Sequence, residues 1–453
     1  MKNRTLTLAL ASVGLVLTGG AWAEAGVSFS GFGTLGVTHS DNRLADFSSS
    51  ILQPNGAGMS KATSFGLDTK AGVQAAAPIG KDLTATVQVV ADHRGDNTYA
   101  PRFEWANLKY QATQNTYVRV GRVVAPVFMV SEYRNVGYAQ TAVRMPFDVY
   151  GLNPITHIDG GELGTRFELV GGTLSLQLSA GRQKESKPMP VPGGSALIQP
   201  KGSAKSGNLT YEHGSSIFRL GLTKSKVDAQ SEYLDQVDSM FEPVAQLGGM
   251  SVGALLGHPQ NTIESRHSIE VKLFDIGYAY DSGNWLGQAE WVSSKGGGNM
   301  FLGTEAWYAL AGYRWGKFTP YASYSELRSW PPRGVTGQPK AAVPAWAAGT
   351  PFESQLAQAA FGINSTDASM GMAQQQHTIS LGVRYDFYKN LALKAQFDQI
   401  KKLGSTGAPN KGLFTIPAII MPATPNASSN LYPEFAVTDN TVNLITLTID
   451  FVF

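Results

Sequence analysis

Apolar and polar side chains alternate along most of the chain, in segments of about ten residues. Successive side chains of a β-strand point to opposite faces, so this period predicts strands with one apolar and one polar face. In the last segment, Ile445, Leu447 and Ile449 share one face. Thr446 and Thr448 share the other face. The pattern predicts an all-β protein.

The alternation predicts sixteen strands, an even number that suits a closed antiparallel barrel with both chain ends on one side of a membrane. The expected architecture is therefore a transmembrane antiparallel β-barrel. The predicted strands cover residues 27–39, 64–77, 82–94, 102–112, 115–122, 161–169, 173–183, 205–212, 216–226, 264–280, 285–294, 305–315, 318–327, 377–387, 391–401 and 440–453.

The connections between these strands alternate between short and long, as in outer-membrane barrels with short periplasmic turns and long external loops. Aromatic residues such as Trp285, Trp307 and Trp315 lie at strand ends, where a membrane barrel has its interfacial girdles. A soluble β-sandwich is the alternative, but it does not require this rhythm. The short turns are 78–81, 170–172, 213–215, 281–284, 315–317 and 388–390, and the long connections are 41–62, 123–160, 184–204, 227–263, 328–376 and 402–439.

The first 23 residues have the three parts of a secretory signal: basic Lys2 and Arg4, an apolar stretch, and the small-x-small end at 21–23. The apolar stretch is about a dozen residues, whereas a spanning helix needs about 20. We therefore expect residues 1–23 to be a cleaved signal peptide and residues 24–453 to form one pore domain. Together with the predicted transmembrane barrel, export through this signal leads us to expect the outer membrane of a Gram-negative bacterium.

Composition narrows the class of protein further. There is no cysteine, charged residues make up only 15%, and glycine occurs 50 times. Without disulfides, a closed hydrogen-bonded barrel is a suitable way to hold an exported chain together. The 36 lysines and arginines lose Lys2 and Arg4 with the signal, which leaves them equal to the 34 acidic residues. A net charge of zero gives no indication of nucleic-acid binding.

The polar face of each strand often carries charge, which a packed protein core would not tolerate without partners. Sixteen strands also enclose more space than side chains can fill. The interior is therefore expected to be an aqueous lumen. An excess of cations on this face predicts a mild preference for anions, and the cations concerned are Lys70, Lys109, Arg166, Arg219, Arg384 and Lys394.

The long connection 123–160 combines aromatic residues with charges of both signs. Such a loop can fold inward and narrow the lumen, although its composition also fits an ordinary external loop. Its charged residues considered for the pore are Glu132, Arg134, Arg144, Asp148 and Asp159.

Residues 108–110 (Leu-Lys-Tyr), 117–122 (Tyr-Val-Arg-Val-Gly-Arg) and the start of the loop at Pro126 and Val127 resemble the general diffusion porins of Gram-negative bacteria. The signal peptide, strand number and C-terminal Phe453 extend the resemblance over the whole chain. It implies an inward-folded constriction loop at 123–160, a homotrimer, and acidic Glu132 and Asp148 facing a basic wall at Arg122. The family's usual Pro-Glu-Phe-Gly loop tip is missing, and residues 145–148 read Met-Pro-Phe-Asp instead.

Strand parity distinguishes the two arginines of this region. If Val118 and Val120 face lipid, Arg119 faces the lumen and Arg122 does not, unless the strand ends or bulges there. Both arginines therefore remain in the predicted set. The predicted pore-lining residues are Lys109, Arg119, Arg122, Glu132, Arg134, Arg144, Asp148, Asp159 and Arg166.

Two motifs suggest other classes of protein. Residues 31–36 match a dinucleotide fingerprint, but they lie in a strand pattern with no helix following. Residues 249–253 match a nucleophile elbow, so an outer-membrane hydrolase using Ser251 stays an alternative. The histidines show no metal-ligand spacing, and no cofactor is expected. The favoured function is passive diffusion of small hydrophilic solutes and ions, with a substrate-selective channel as the second possibility.

Overall fold

The computed structural model describes residues 26–151, 153, 155–191, 194–230, 235, 239, 252–257, 269–296, 303–330, 340–371, 374–403, 410, 412–414 and 441–453. The predicted signal peptide at 1–23 and the predicted nucleophile Ser251 lie outside these residues.

The described residues form a closed antiparallel barrel of sixteen strands, as the alternation predicted. Each strand pairs with the next along the chain, and the last pairs back with the first. The strands are β1 (Ser28–Ser40), β2 (Lys70–Pro78), β3 (Leu83–Asp92), β4 (Arg102–Gln111), β5 (Thr116–Val124), β6 (His157–Leu169), β7 (Gly172–Lys184), β8 (Gly194–His213), β9 (Ser216–Gln230), β10 (Ile269–Asp281), β11 (Trp285–Gly296), β12 (Gly303–Tyr313), β13 (Phe318–Trp330), β14 (Gln376–Tyr388), β15 (Leu391–Lys402) and β16 (Thr441–Val452).

Glycine and phenylalanine stack where β1 and β16 close the barrel. Phe451 lies opposite Gly33 in the register, and its ring covers the position that a side chain at Gly33 would occupy. Phe453 covers Gly31 in the same way. The glycine-rich segment 31–36 is therefore part of a barrel strand rather than a phosphate-binding loop.

The two faces of β16 have different environments, and this difference explains why apolar and polar residues alternate in its sequence. Ile445, Leu447 and Ile449 are exposed on the outside of the barrel. Thr446 and Asp450 are fully buried on the inside. Outward apolar and inward polar positions are the arrangement that lipid outside and a hydrophilic interior require.

Short strands and helices in the connections complete the fold. Short strands at Asp46–Phe47, Ala57–Gly58 and Thr63–Ser64 lie between β1 and β2, and Lys187–Val191 pairs with the start of β8. The helices are α1 (Phe147–Tyr150), α2 (Val252–Leu255) and α3 (Glu353–Gly371). In the part of the chain that the structure describes, no helix has the length and apolarity to cross a membrane.

Candidate functional site: the barrel lumen

The connection between β5 and β6 folds into the barrel. Its side chains Phe128, Val130 and Phe147 are buried and belong to one apolar cluster with inner-wall residues such as Leu327 and Leu444. The helix α1 lies against β12 and β13. Part of the inner wall beneath the loop is therefore apolar, because those positions contact protein rather than water.

Arg144 makes the most extensive charged contact between this loop and the wall. Its guanidinium donates to both carboxylate oxygens of Asp68, at 3.0 and 2.7 Å, and to Asp398 at 2.9 Å. It also donates to Thr446 at 2.8 Å and to Thr38 at 3.3 Å. Burial alone would raise the pKa of Asp68, but the charge and hydrogen bonds of Arg144 hold that pKa below its usual value.

Lys394 anchors the loop through its backbone. Its fully buried ammonium donates to the carbonyl oxygens of Gly137, at 2.8 Å, and Ala142, at 3.0 Å, and lies 3.0 Å from Asp450. A side chain at Gly137 would overlap Asp450 and Thr34. The loop can approach the wall this closely because residue 137 has no side chain.

Arg384 repeats this arrangement one strand away. It donates to the carbonyl oxygens of Tyr138, at 2.6 Å, and Gln140, at 2.9 Å, and its guanidinium lies 4.7 Å from the centre of the Tyr138 ring. Asp386 is its carboxylate partner, at 2.8 Å.

Carboxylates of the wall also receive hydrogen bonds from the loop. Glu290 accepts from the Met129 backbone N–H at 2.9 Å and from the Tyr150 hydroxyl at 2.5 Å. On the neighbouring strands, Arg219 pairs with Asp275 at 3.1 Å and donates to the carbonyl oxygen of Pro126 at 2.6 Å.

Asp148 of α1 is buried between two wall side chains. Ser325 and Gln376 each donate to its carboxylate at 2.5 Å. Burial raises the pKa of Asp148 above its usual value. Asp148 is 1% exposed, so its side chain lies against the wall rather than across an open gap.

The opposite part of the wall, on β4, β5 and β6, carries a row of charges at one level. Lys109, Arg119 and Glu162 are direct neighbours in the strand register. Arg119 lies 3.2 Å from Glu162 and 3.8 Å from Glu132 of the loop. Like charges on paired strands repel each other, and the two carboxylates reduce that repulsion.

Tyr117 completes this row. Its ring lies under both cations, 4.7 Å from the Lys109 ammonium and 4.9 Å from the Arg119 guanidinium. Its hydroxyl donates to Glu162 at 2.9 Å. Such cation–π contacts hold the two long side chains near the wall. We call Lys109, Tyr117, Arg119, Glu132 and Glu162 the β4–β6 row.

A second group of charges lies on the inner wall nearer the external loops. Arg94 pairs with Glu185 at 2.8 Å, and Arg102 contacts both Asp92 and, at 3.4 Å, Glu104. These five residues hold both signs of charge close together. In the chain as described, no group of histidine, aspartate and glutamate residues forms a metal site.

A family model for Gram-negative porins matches residues 7–405 of this chain, nearly its full length. The chain belongs to the Gram-negative porin family. That membership agrees with the resemblance read from the segments around Lys109 and Arg119.

Solved structures of outer-membrane proteins match this chain over most of its length at low sequence identity. OmpT of Vibrio cholerae is 11% identical, with 94% of this chain and 98% of that chain covered and a TM-score of 0.48. An anion-selective porin from Comamonas acidovorans is 12% identical, with 94% and 99% covered and a TM-score of 0.47. OmpF of Salmonella typhi is 15% identical, with 94% and 97% covered and a TM-score of 0.48. A comparison with curated proteins found no match.

The porin brings only some of the predicted pore residues together. Lys109, Arg119, Glu132 and Arg166 are on the inner side of the wall or on the loop that faces it. Arg134 lies in the loop, where its carbonyl oxygen accepts a hydrogen bond from Gln140 at 2.9 Å.

Four predicted residues have other surroundings, and one of them is Asp148, which is buried against Ser325 and Gln376. Arg122 shares the outer face of β5 with the exposed Val120 and pairs with Asp159 at 2.7 Å, so both members of this pair lie outside the lumen. Strand parity requires this position for Arg122, because the register of β5 with β6 shows no bulge. Arg144 is buried between Asp68 and Asp398 as an anchor of the loop.

Sequence reasoning missed Tyr117 and Glu162 of the β4–β6 row. Glu162 lies four residues before Arg166 in the same strand, so both point to the same face. That spacing alone could have identified Glu162.

Proposed function

We propose that this porin forms a water-filled channel for passive diffusion of small hydrophilic solutes and ions. The observation that carries the proposal is that the loop is bonded to one side of the inner wall and leaves charged side chains partly exposed on the other side. The loop is bonded to β11, β14 and β15 through Glu290, Arg384 and Lys394. The β4–β6 row faces the loop from the other side with partly exposed charges of both signs.

Diffusion past a charged row favours solutes that can exchange hydration water for polar contacts. Opposite charges across the path create a transverse field, which orients dipolar solutes and hinders apolar ones. Planar-bilayer recording of the folded protein should show ohmic current steps. An absence of conductance from pure folded protein would contradict a pore.

A mild preference for anions is a finer part of this proposal. Glu162 is almost fully buried, whereas Lys109 is half-buried and Arg166 is exposed. The water-facing charge of this wall is therefore more positive than its total charge. A unit charge about 7 Å from the ion path contributes about 0.6 kcal/mol in water, which corresponds to about a threefold change in ion preference.

Reversal potentials in a KCl gradient test the preference. Lys109→Gln should shift the anion-to-cation permeability ratio towards cations by about threefold at low salt. The matched control is Arg122→Gln, which removes a charge on the outer face of the next strand and should leave the ratio unchanged. Cation selectivity of the unmodified porin, or equal shifts in the two variants, would refute this assignment.

A substrate-selective channel is the second candidate, because Tyr117 presents an aromatic ring flanked by two cations. This combination suits carboxylates that carry an apolar group. Liposome swelling with sugars, amino acids and carboxylates separates the two functions. Rates that fall smoothly with solute size support general diffusion, and much faster entry of carboxylates supports selectivity.

Assembly is proposed from the family resemblance. A homotrimer in the outer membrane, surrounded by lipid, should give conductance steps in groups of three. Crosslinking of the detergent-solubilised porin should give a trimer band, and a monomer band alone would refute the trimer.

A further inference from the structure

Four lysines form a continuous row on the outside of the barrel, away from the pore. Lys205 pairs with Lys224, Lys224 with Lys272, and Lys272 with Lys295 in the registers of β8, β9, β10 and β11. All four side chains are exposed. We call these four residues the lysine row.

The strand pattern places this row at the outer edge of the apolar band. On β9, Phe218, Leu220 and Leu222 are exposed on the same face. Lys224 is the next residue on that face towards the long external connection. Strand β10 runs in the opposite direction. Its exposed residues Tyr280 and Ile276 lie nearer the short turn, and Lys272 lies nearer the long connection.

The height of the row agrees with the edge of a membrane. Lys224 lies about eight residues from the start of β9, which spans roughly 21 Å along the barrel axis for a strand tilted by about 40°. The apolar band of an outer-membrane barrel is about 25 Å tall, and the long connections lie on its external side. The lysine row is therefore at the level of the external lipid headgroups.

Further cations lie on the same face, closer to the long external connections than the lysine row. Arg182, Lys184, Lys201 and Lys226 are exposed at positions two or four residues farther from the apolar band. Among the described residues of this face, the carboxylate in contact with the row is Glu270, which lies 2.9 Å from the Lys224 ammonium and 3.3 Å from that of Lys272. Farther out, Arg182 lies opposite Asp159 and Lys201 lies opposite Asp228 in the strand registers. In the lysine row itself, one described carboxylate between two of the four lysines leaves an excess of positive charge.

Direct cross-strand pairs of like charge destabilise a sheet. Neighbouring strands are only about 4.8 Å apart, so four lysines in register repel one another along the whole row. Phosphate groups carry the complementary charge and accept several hydrogen bonds at once. Lysine stems can lie along apolar lipid while their ammonium groups reach the headgroup level.

We propose that the lysine row binds phosphate groups of an anionic, phosphorylated glycolipid in the outer leaflet. Continuity with the apolar band selects a lipid rather than a free ion, because acyl chains would cover Leu222 and Ile276 while the phosphates contact the lysines. A second copy of the chain through the same face would bring lysines against lysines. This inference is independent of what passes through the pore.

Native mass spectrometry of the detergent-solubilised porin with added bisphosphorylated lipid A tests the proposal. The unmodified porin should retain the lipid, and the variant Lys205→Gln/Lys224→Gln/Lys272→Gln should bind it at least about tenfold more weakly. The matched control is Lys81→Gln/Lys317→Gln/Lys389→Gln, which removes three exposed lysines at the short turns and should bind as the unmodified porin does.

Further arms identify the source of the phosphate and guard against misfolding. Dephosphorylated lipid A should bind much more weakly, and millimolar inorganic phosphate should not displace the lipid. Replacing the same three lysines with arginine should preserve binding, and raising the salt concentration should weaken binding to the unmodified porin. Equal binding by both glutamine variants, equal binding of dephosphorylated lipid, or displacement by inorganic phosphate would overturn the proposal. Unchanged conductance of the glutamine variant would show that the pore is intact.

Discussion

Charged side chains on the two sides of the lumen have different partners. On β14 and β15, Arg384 and Lys394 donate to carbonyl oxygens of the loop, so their charges are used to hold backbone. On β4 and β5, Lys109 and Arg119 contact an aromatic ring, and Arg119 lies beside carboxylates. Inner-wall position alone therefore does not make a charge available to ions. The path of the loop decides which wall charges remain in contact with water.

Releasing the loop from the wall should have the largest effect on the difference between the two sides of the lumen. Arg144→Ala leaves the buried carboxylates of Asp68 and Asp398 without their cation. Removing one partner of a buried ion pair costs about 3–5 kcal/mol. We expect a lower thermal unfolding temperature and large, noisy changes in single-channel conductance.

Arg122→Ala is the matched control for that change. The Arg122–Asp159 pair is partly exposed on the outer face, where such pairs contribute about 0–1 kcal/mol. Thermal unfolding and conductance should stay close to those of the unmodified porin. Equal effects of the two substitutions would show that Arg144 does not anchor the loop.

A smaller effect is expected from adding one methyl group at the closest approach of loop and wall. Gly137→Ala would force a Cβ atom against Asp450 and Thr34, and such overpacking costs about 1–3 kcal/mol. The loop should shift away from Lys394, which thermal unfolding and single-channel current can detect. Gly287→Ala, where the added atom would meet only ordinary contacts, should have little effect. A Gly137→Ala porin identical to the unmodified one would contradict the close packing.

The smallest expected effect is that of pH on conductance, which should change only in acid. The pKa of Asp68 is lower in the folded protein, so the stability that Asp68 contributes is present above its unfolded pKa of about 3.9 and is lost as pH falls through the folded value. Conductance should therefore be steady between about pH 5 and 8 with respect to this pair, and should become unstable below about pH 4. Asp68→Asn should remove this acid transition. Loop release near neutral pH that Asp68→Asn abolishes would contradict this sign.

The alternation of side chains predicted all sixteen barrel strands, but it underestimated some of their lengths. Strand β8 begins at Gly194, whereas the prediction began at residue 205. Lys201, Ser203 and Lys205 occupy its outer face beyond the apolar band. The outer face is polar there and the inner face carries Gly202 and the buried Ala204, so the apolar-outside, polar-inside alternation that reveals a membrane strand is absent.

Strand periodicity also predicted only part of the arrangement of residues in the lumen. Parity indicated opposite faces for Arg119 and Arg122 unless the strand bulges, and the register of β5 with β6 has no bulge there, so local strand geometry fixes this difference. The partners of Arg144 and Asp148 come from residues far away in the sequence, such as Asp398 and Gln376. The loop path that brings them together follows from tertiary packing, which strand periodicity does not contain.

We infer that water reaches the β4 side of the lumen and not the wall beneath the loop. The chain has no cysteine, so a single introduced thiol reports its own surroundings. Lys109→Cys places a thiol on the open side, and Ser380→Cys places one on the inner face of β14, where Ser380 is buried. Each variant is treated in a planar bilayer with a negatively charged methanethiosulfonate reagent. We predict rapid modification and a lasting change in current for Lys109→Cys, with no change for Ser380→Cys. Equal modification of both thiols, or modification of Ser380→Cys alone, would contradict it.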